Sequence, residues 1–507
     1  MSEDAVDGVR RDVRVAVIGA GLSGIAMGVR LLGKGLQDFV ILERAAEVGG
    51  VWRDNTYPGV GVDTPSKLYS LSTDLNPDWS RLYATGAELF DYASRVAAEH
   101  NLLPYIRFGH TVHDARWNPD AQQWVIMTSR GTYRARFLVS AAGLVADPSY
   151  PDVPGLADFA GTCFHSAEWK HDHDLRGRKV AVVGTGSSSV QFVPRIQPEV
   201  AELHVLQRTP AWVLPKVDNS IPERTRRRLA GTPGLMVVER MLFYVITEIV
   251  SSARRFRPVR GLFQRVCLKN LDKQVSDPRL RRKLKPGFEF MCKRPLISSD
   301  YLPALGKPNV TVHTGGLVEV RGSTVVAGDG STAEVDTLIL NTGFDIGITS
   351  PIARRIRGVD GTSLAECWDD DPRAYKGMTV PGFPNLFIMQ GPNATSGISS
   401  ALMFGEAQAG YIADALHRFA RDDVATVEVR PEKARKWTQW VRGVSARTTY
   451  EVGGCRSYYL NRKGENVVMW PAWTAGYQLR TRRFDPHAYV LAGVVARDKP
   501  VSERVAS

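Results

Sequence analysis

The chain has 507 residues, enough for about two to four domains. Hydrophobic residues make up 43% and charged residues 23%, near the globular average, which excludes wholesale disorder and fibrous repeats. Net charge is +12, but residues 221–295 alone hold 19 Lys and Arg against 6 Asp and Glu, so the basic character is local and the rest of the chain is close to neutral.

The opening residues are acidic first and lack a small-residue cleavage site, so they do not read as a secretory signal. The apolar runs at 15–29 and 235–250 are broken by glycines or charges and fall short of the roughly 18–20 residues a membrane span needs. Five cysteines, at 163, 267, 292, 367 and 455, are scattered with no CxxC pair. That argues against a disulfide framework and a structural zinc site, and suits a reducing cytosol.

The first predicted strand, 14–18, runs into Gly19-Ala20-Gly21-Leu22-Ser23-Gly24, then a helix to about 32 and a second strand, 39–42, ending in Glu43. GxGxxG between strand and helix is the turn that receives a dinucleotide. Gly19 permits the turn, Gly21 lets a pyrophosphate approach the backbone, and Gly24 lets helix and strand pack. Glu43 stands where an acid can bond a ribose hydroxyl. The pattern recurs with strand 179–183, the turn Gly184-Thr185-Gly186-Ser187-Ser188-Ser189, and strand 202–206 followed by Gln207-Arg208-Thr209. Here an arginine replaces the acid. An acid would repel a 2′-phosphate, whereas arginine can pair with one, so this site reads as NADPH rather than NADH. Two such sites suggest a tightly bound flavin and the nicotinamide that reduces it. Segments 137–143 and 337–343 read as strands ending in small-residue turns that can cross between the two nucleotide domains.

The fold class is therefore α/β: two Rossmann-type dinucleotide-binding domains, for FAD and NADPH, with a helical insertion. The predicted boundaries are 1–146 and 333–507 for the FAD domain, 147–220 and 291–332 for the NADPH domain, and 221–290 for the basic insertion. Within the insertion, Arg240, Tyr244, Thr247, Glu248 and Ser251 form one narrow polar stripe on an otherwise apolar helix. A buried or lid-like helix is expected. A weak membrane-surface contact is the sharper alternative, because Arg254, Arg255, Arg257 and Arg260 follow the apolar run. Nucleic-acid binding is not expected without a recognition motif. The stretch His171-Asp172-His173-Asp174 alternates along the chain and reads as a solvated loop, so no metal is expected.

Two gapped motifs are more specific. Phe159, Gly161, His165 and Trp169 match FxGxxxHxxxW, and Gly50, Trp52, Tyr57, Pro58, Gly59 and Asp63 match GxWxxxx(F/Y)PGxxxD. In these the chain resembles the class B flavoprotein monooxygenases and, within them, the Baeyer–Villiger monooxygenases. The resemblance runs from about residue 13 to about 490. It implies FAD and NADPH as cofactors, and O2 and a lipophilic ketone as substrates. Oxygen would be inserted beside the carbonyl through a C4a-peroxyflavin to give an ester or lactone. It also implies that Arg294 is the fixed cation of the reaction, oriented by Asp63, and that Lys293, Arg208 and Thr209 grip the 2′-phosphate. Ser23, Val51, Trp52, Tyr69 and the backbone of Val112 are the further implied flavin contacts. His165 is implied to tether the connection between domains. The helix beginning near 398 is expected to aim its positive N-terminus at the flavin. Two other readings stay open: an N- or S-oxygenase of the same architecture, and a flavin-binding NADPH oxidase or docking module without oxygenation. A cytoplasmic enzyme is expected.

Overall fold

In the strand Asp12–Ile18, Val15 and Val17 enter one hydrophobic core while Ala16 and Ile18 enter another. A strand that is apolar on alternate residues to both sides belongs at the centre of a sheet covered on both faces. The computed structural model, which describes residues 11–347 and 350–493, places it there. It lies parallel to Phe39–Leu42 on one side and to Gly131–Ser140 on the other. The antiparallel strands Gln123–Thr128 and Val112–Asn118 extend that sheet, and Ile356–Arg357 and Leu386–Ile388 join it from the second half of the chain. Residues 1–10, the opening of the expected FAD domain, and 494–507, its expected end, lie outside the described residues.

The second sheet is wholly parallel. Its order is Val310–Thr314, Glu202–Gln207, Lys179–Val183, Thr337–Leu340 and Thr162–His165. Val180 and Val182 face one core, and Ala181 and Val183 face the other. This corrects one expected boundary. Strand Thr337–Leu340 pairs with two strands of the second sheet, so the return to the first domain comes after Gly343, not at 332/333. A four-residue apolar run followed by a small-residue turn gives the same sequence signal in either sheet, and only the pairing distinguishes them. The two crossings between sheets run side by side. Pro148 and Phe344 form an antiparallel bridge, and the Ser149 N–H donates to the Gly343 carbonyl at 3.0 Å.

Four helices, Glu223–Ala230, Pro233–Ser252, Arg257–Gln274 and Pro278–Leu284, make the insertion. Its base is closed by the short parallel pair Val213–Leu214 and Leu296–Ile297. The long helix is turned the opposite way from a buried amphipathic helix. Arg240, Thr247, Glu248 and Ser251 are buried, whereas Val238, Leu242 and Ile249 are more than half exposed. Bonded partners draw the polar stripe inward. Arg240 donates to the Ser70 carbonyl at 2.6 Å and pairs with Glu406 at 3.5 Å, and Glu248 accepts the Thr474 N–H at 3.2 Å.

A second correction concerns the cysteines. Cys292 and Cys455 are joined as a disulfide, with Cα atoms 6.1 Å apart, while Cys163, Cys267 and Cys367 are free. The partners lie 163 residues apart, and nothing in their local sequence marks the pairing.

Candidate active site between two dinucleotide turns

A cleft of about 510 Å³ runs between the two sheets at the carboxyl ends of their parallel strands. The first turn forms one end. Gly19 has φ +97°, and a Cβ there would stand 2.8 Å from the Ala141 carbonyl oxygen. A Cβ on Gly24 would lie 1.9 Å from the Gly19 carbonyl oxygen, so only glycine lets the helix Leu22–Gly33 start so close to its strand. Gly21 is different. The nearest atom to its absent Cβ is the Gly50 Cα at 3.6 Å, so its backbone faces open space in the cleft. The helix has no side-chain cap and no acid in its first turn, which leaves its N-terminal N–H groups for an anion. This cradle fits a pyrophosphate.

Glu43 is buried. One of its oxygens accepts the Ala20 N–H at 2.7 Å, and the other accepts the Ala45 N–H at 2.9 Å and pairs with Arg53 at 3.3 Å. The oxygen on the Ala20 N–H keeps a lone pair for a ribose hydroxyl. Ser23, Val51, Trp52 and Tyr69 all line the cleft, with the Trp52 and Tyr69 rings edge to face at 5.4 Å. Burial pushes the Tyr69 hydroxyl up to about 12, so it stays protonated and able to donate. Val112 also lines the cleft, but its carbonyl already accepts from Arg355 at 2.9 Å.

The second turn stands opposite. Gly184 has φ +103°, and a Cβ there would meet the Asn341 carbonyl oxygen at 2.3 Å. Ser189, at the place of the third glycine, is fully buried. Its hydroxyl donates to the Gly184 carbonyl at 2.7 Å and accepts from the Asn341 amide at 2.6 Å. Gly186, Ser187 and Ser188 line the cleft at the uncapped start of helix Ser187–Ile196. Thr185 reaches sideways, donating to the Thr209 carbonyl at 3.3 Å. Arg208, Thr209 and Lys293 lie beyond the cleft wall. Burial, and then the nearby Arg208, lower the Lys293 ammonium from its ordinary value. Neither cation is paired with a carboxylate among the described residues. Two adjacent unpaired cations fit a bound phosphate.

Arg294 and Asp63 meet between the turns. The guanidinium donates to the Asp63 carboxylate, and their side chains are 31% and 22% exposed in the cleft wall. Burial is the largest influence and works against the guanidinium charge, but Asp63, Tyr459, Tyr458 and Tyr69 together outweigh it, so Arg294 is held above its ordinary value. It is a permanent cation with a fixed direction. Helix Ala401–Arg421 also starts at the cleft: Ser396, Ser399 and Ala401 line it, and no side chain caps it.

This geometry has known counterparts. Residues 16–249 match the pyridine nucleotide-disulphide oxidoreductase family. A Baeyer–Villiger monooxygenase of Streptomyces coelicolor is 44% identical, over 95% of this chain and 93% of the relative. The chain belongs to the Baeyer–Villiger monooxygenase family. A second family member, from Pseudomonas aeruginosa, is 39% identical over 97% of this chain and 94% of its own length. The cyclohexanone monooxygenase of Rhodococcus sp. Phi1, solved bound to NADP+, superposes with a TM-score of 0.84 at 27% identity, covering 96% of this chain and all of that one.

Within this Baeyer–Villiger monooxygenase, the fingerprint residues divide by role. Trp169 packs edge-on to Phe164 and against Phe192 in the second core, so it supports the fold rather than the cleft. His165 is fully buried between the rings of Tyr150 and Phe344, where the two crossings meet, as a tether would be. His171 and His173 bond to Thr56 and Thr337, and no metal-binding group occurs among the described residues. Sequence reasoning missed three residues. Tyr459 accepts the Arg294 N–H at 3.2 Å, Tyr458 lines the cleft beside Arg294, and Gln191 bonds the loop that carries Asp63. The Ser457-Tyr458-Tyr459 run following Cys455 was the available signal, but without the disulfide nothing directed it to Arg294.

Proposed function

We propose that this enzyme uses FAD and NADPH to convert a lipophilic ketone into an ester or lactone, and that Arg294 and Asp63 are its catalytic pair. The single observation that carries this is the position of Arg294: a permanently charged guanidinium, oriented by Asp63, in the cleft wall between the two dinucleotide turns. When bound, FAD supplies hydride acceptance and O2 activation. The first turn, with its uncapped helix, holds that cofactor, and Lys293 and Arg208 hold the 2′-phosphate of NADPH. Arg294 stabilises the negative charge that develops on the ketone oxygen as its carbonyl is attacked, and Asp63 keeps the fork aimed. A smaller apolar cavity of about 160 Å³, walled by Leu144, Ile352 and Leu460, shares Tyr458 with the cleft. It suits a lipophilic substrate.

No helix of the described residues is long and apolar enough to cross a membrane. The reading places the enzyme in the cytoplasm, where NADPH is supplied. The test is product analysis with NADPH, O2 and either a cyclic ketone or a thioether. Lactone at a yield close to NADPH consumed supports the reading. Sulfoxide without any lactone, or peroxide release alone, overturns it.

A further inference from the structure

We infer that the outward face of the insertion helix Pro233–Ser252 docks on an anionic phospholipid surface. Val238, Met241, Leu242, Val245, Ile246 and Ile249 follow helical spacing along one face, and their exposures lie between 43% and 64%. The row spans about 16 Å of helix. An apolar row of this length pointing at water is an interaction surface. It is not a loosely placed helix, because its polar stripe is bonded into the protein through Arg240 and Glu248. Phe256 and Leu262, past the helix end, are exposed as well, and exposed Trp473 adjoins Thr474, whose N–H bonds Glu248.

Charge decides the occupant. Exposed Arg224 and Arg228 precede the row, beside Arg227 in its pair with Glu223, and exposed Arg255 and Arg257 follow it. The two acids within the helix offer no opposition: Glu239 pairs with Lys67 at 3.2 Å, and Glu248 is buried. An apolar stripe with arginines at both ends matches a bilayer interface, where side chains enter the acyl boundary and cations meet anionic headgroups. A second copy fits worse. Antiparallel apposition of two such faces sets one copy's leading arginines against the other's trailing ones, and parallel apposition sets like clusters together. The contact also lies close to the chemistry. Ala253, one residue past the helix, packs in the same core as Met291 and Cys292, just before Arg294. A ketone dissolved in the bilayer would be met where it is concentrated.

The test is flotation of the full-length, FAD-loaded enzyme with vesicles of phosphatidylcholine alone or mixed with phosphatidylglycerol. Binding is expected to the anionic vesicles only, and to be released by high salt. The variant Val238→Glu/Leu242→Glu/Ile246→Glu should lose at least about tenfold in partitioning. Unchanged FAD absorbance and melting temperature would show that this variant is folded. Arg224→Gln/Arg227→Gln/Arg228→Gln should bind less and with a shallower salt dependence. Three results would each overturn the inference. One is wild-type enzyme that stays in the soluble fraction with anionic vesicles. Another is equal flotation of the triple-glutamate variant. The third is a wild-type dimer, seen by light scattering, that this variant converts to monomer, which would assign the face to a second copy.

Discussion

If Asp63 acts only by aiming Arg294, the two residues should fail as a unit. Opposite charges about 4 Å apart attract by roughly 4 kcal/mol at an effective dielectric of about 20. Both side chains are partly exposed, at 31% and 22%, so solvent screens part of that, and Tyr458 and Tyr459 can partly hold the guanidinium once the carboxylate is gone. Asp63→Ala should therefore cost about 1.5–3 kcal/mol of transition-state stabilisation, roughly 10- to 100-fold in ester formation. Arg294→Ala removes the preorganised charge itself and should cost about 10²–10³. Independent effects would multiply in the double variant to roughly 10³–10⁵, whereas a positioning role predicts a loss no greater than that of Arg294→Ala alone. The assay is ester formed per NADPH consumed, at saturating ketone, with FAD content measured in each variant. Multiplicative losses would refute the positioning role of Asp63. Wild-type yield and rate from Arg294→Ala would refute the catalytic assignment altogether.

Gly21→Val should fold yet purify colourless, because its side chain enters only the space meant for a ligand, while Gly24→Val should fail to fold, since its Cβ would stand 1.9 Å from a backbone oxygen. Visible absorbance and thermal melting separate the two outcomes, and stoichiometric FAD in Gly21→Val would contradict the first turn's role. Arg208→Ala should weaken NADPH about 10- to 100-fold, and NADH far less, since only NADPH carries the phosphate; equal loss for both in steady-state kinetics would make Arg208 structural. Thiol titration of the denatured, unreduced chain should find three reactive cysteines, and five after reduction. Five at the outset would show the Cys292–Cys455 link to be absent from the isolated protein.

The two turns were legible because a close backbone approach restricts residue type locally. Gly19 and Gly24 are forced by contacts within their own strand–turn–helix unit and with Ala141 and Ala142, just after strand Gly131–Ser140. The orientation of the insertion helix was not legible. Periodicity separates Arg240, Thr247 and Glu248 from Val238, Leu242 and Ile246, but it does not say which side faces inward. That depends on partners such as Ser70, Glu406 and Thr474, which lie far away in the sequence. The same holds for Tyr459 at Arg294 and for Cys455 at Cys292. Each is a pairing across more than 160 residues, invisible to any local rule.

The Arg294–Asp63 pair also crosses the domain boundary, and this limits how the site can be assembled. Arg294 sits two residues before the strand Leu296–Ile297, in the second domain, whereas Asp63 ends a loop of the first. That loop is held against the second domain by Tyr57, buried in the second core against Phe192, by a bond between Thr56 and His171, and by Gln191. The Tyr57 hydroxyl and the Gly61 N–H donate to the Gln191 side-chain oxygen Oε1 at 3.0 and 3.3 Å, and the Gln191 side-chain amide donates back to the Gly61 carbonyl at 2.9 Å. Gly59 must be glycine for this approach, with φ +81° and the Gln191 backbone carbonyl oxygen only 2.8 Å from its absent Cβ. The three Gln191 hydrogen bonds at about 1 kcal/mol each and a partly screened ion pair add to the burial of Tyr57 in holding this joint. Shifting one domain against the other by about 1 Å would break these bonds and release the guanidinium from Asp63. The fixed cation thus exists only in the docked arrangement, the same arrangement that brings the Gly184–Ser189 turn to face the Gly19–Gly24 turn. Orientation of the charge and juxtaposition of the two dinucleotide turns are therefore one structural event, made dependent on each other by the loop that ends in Asp63.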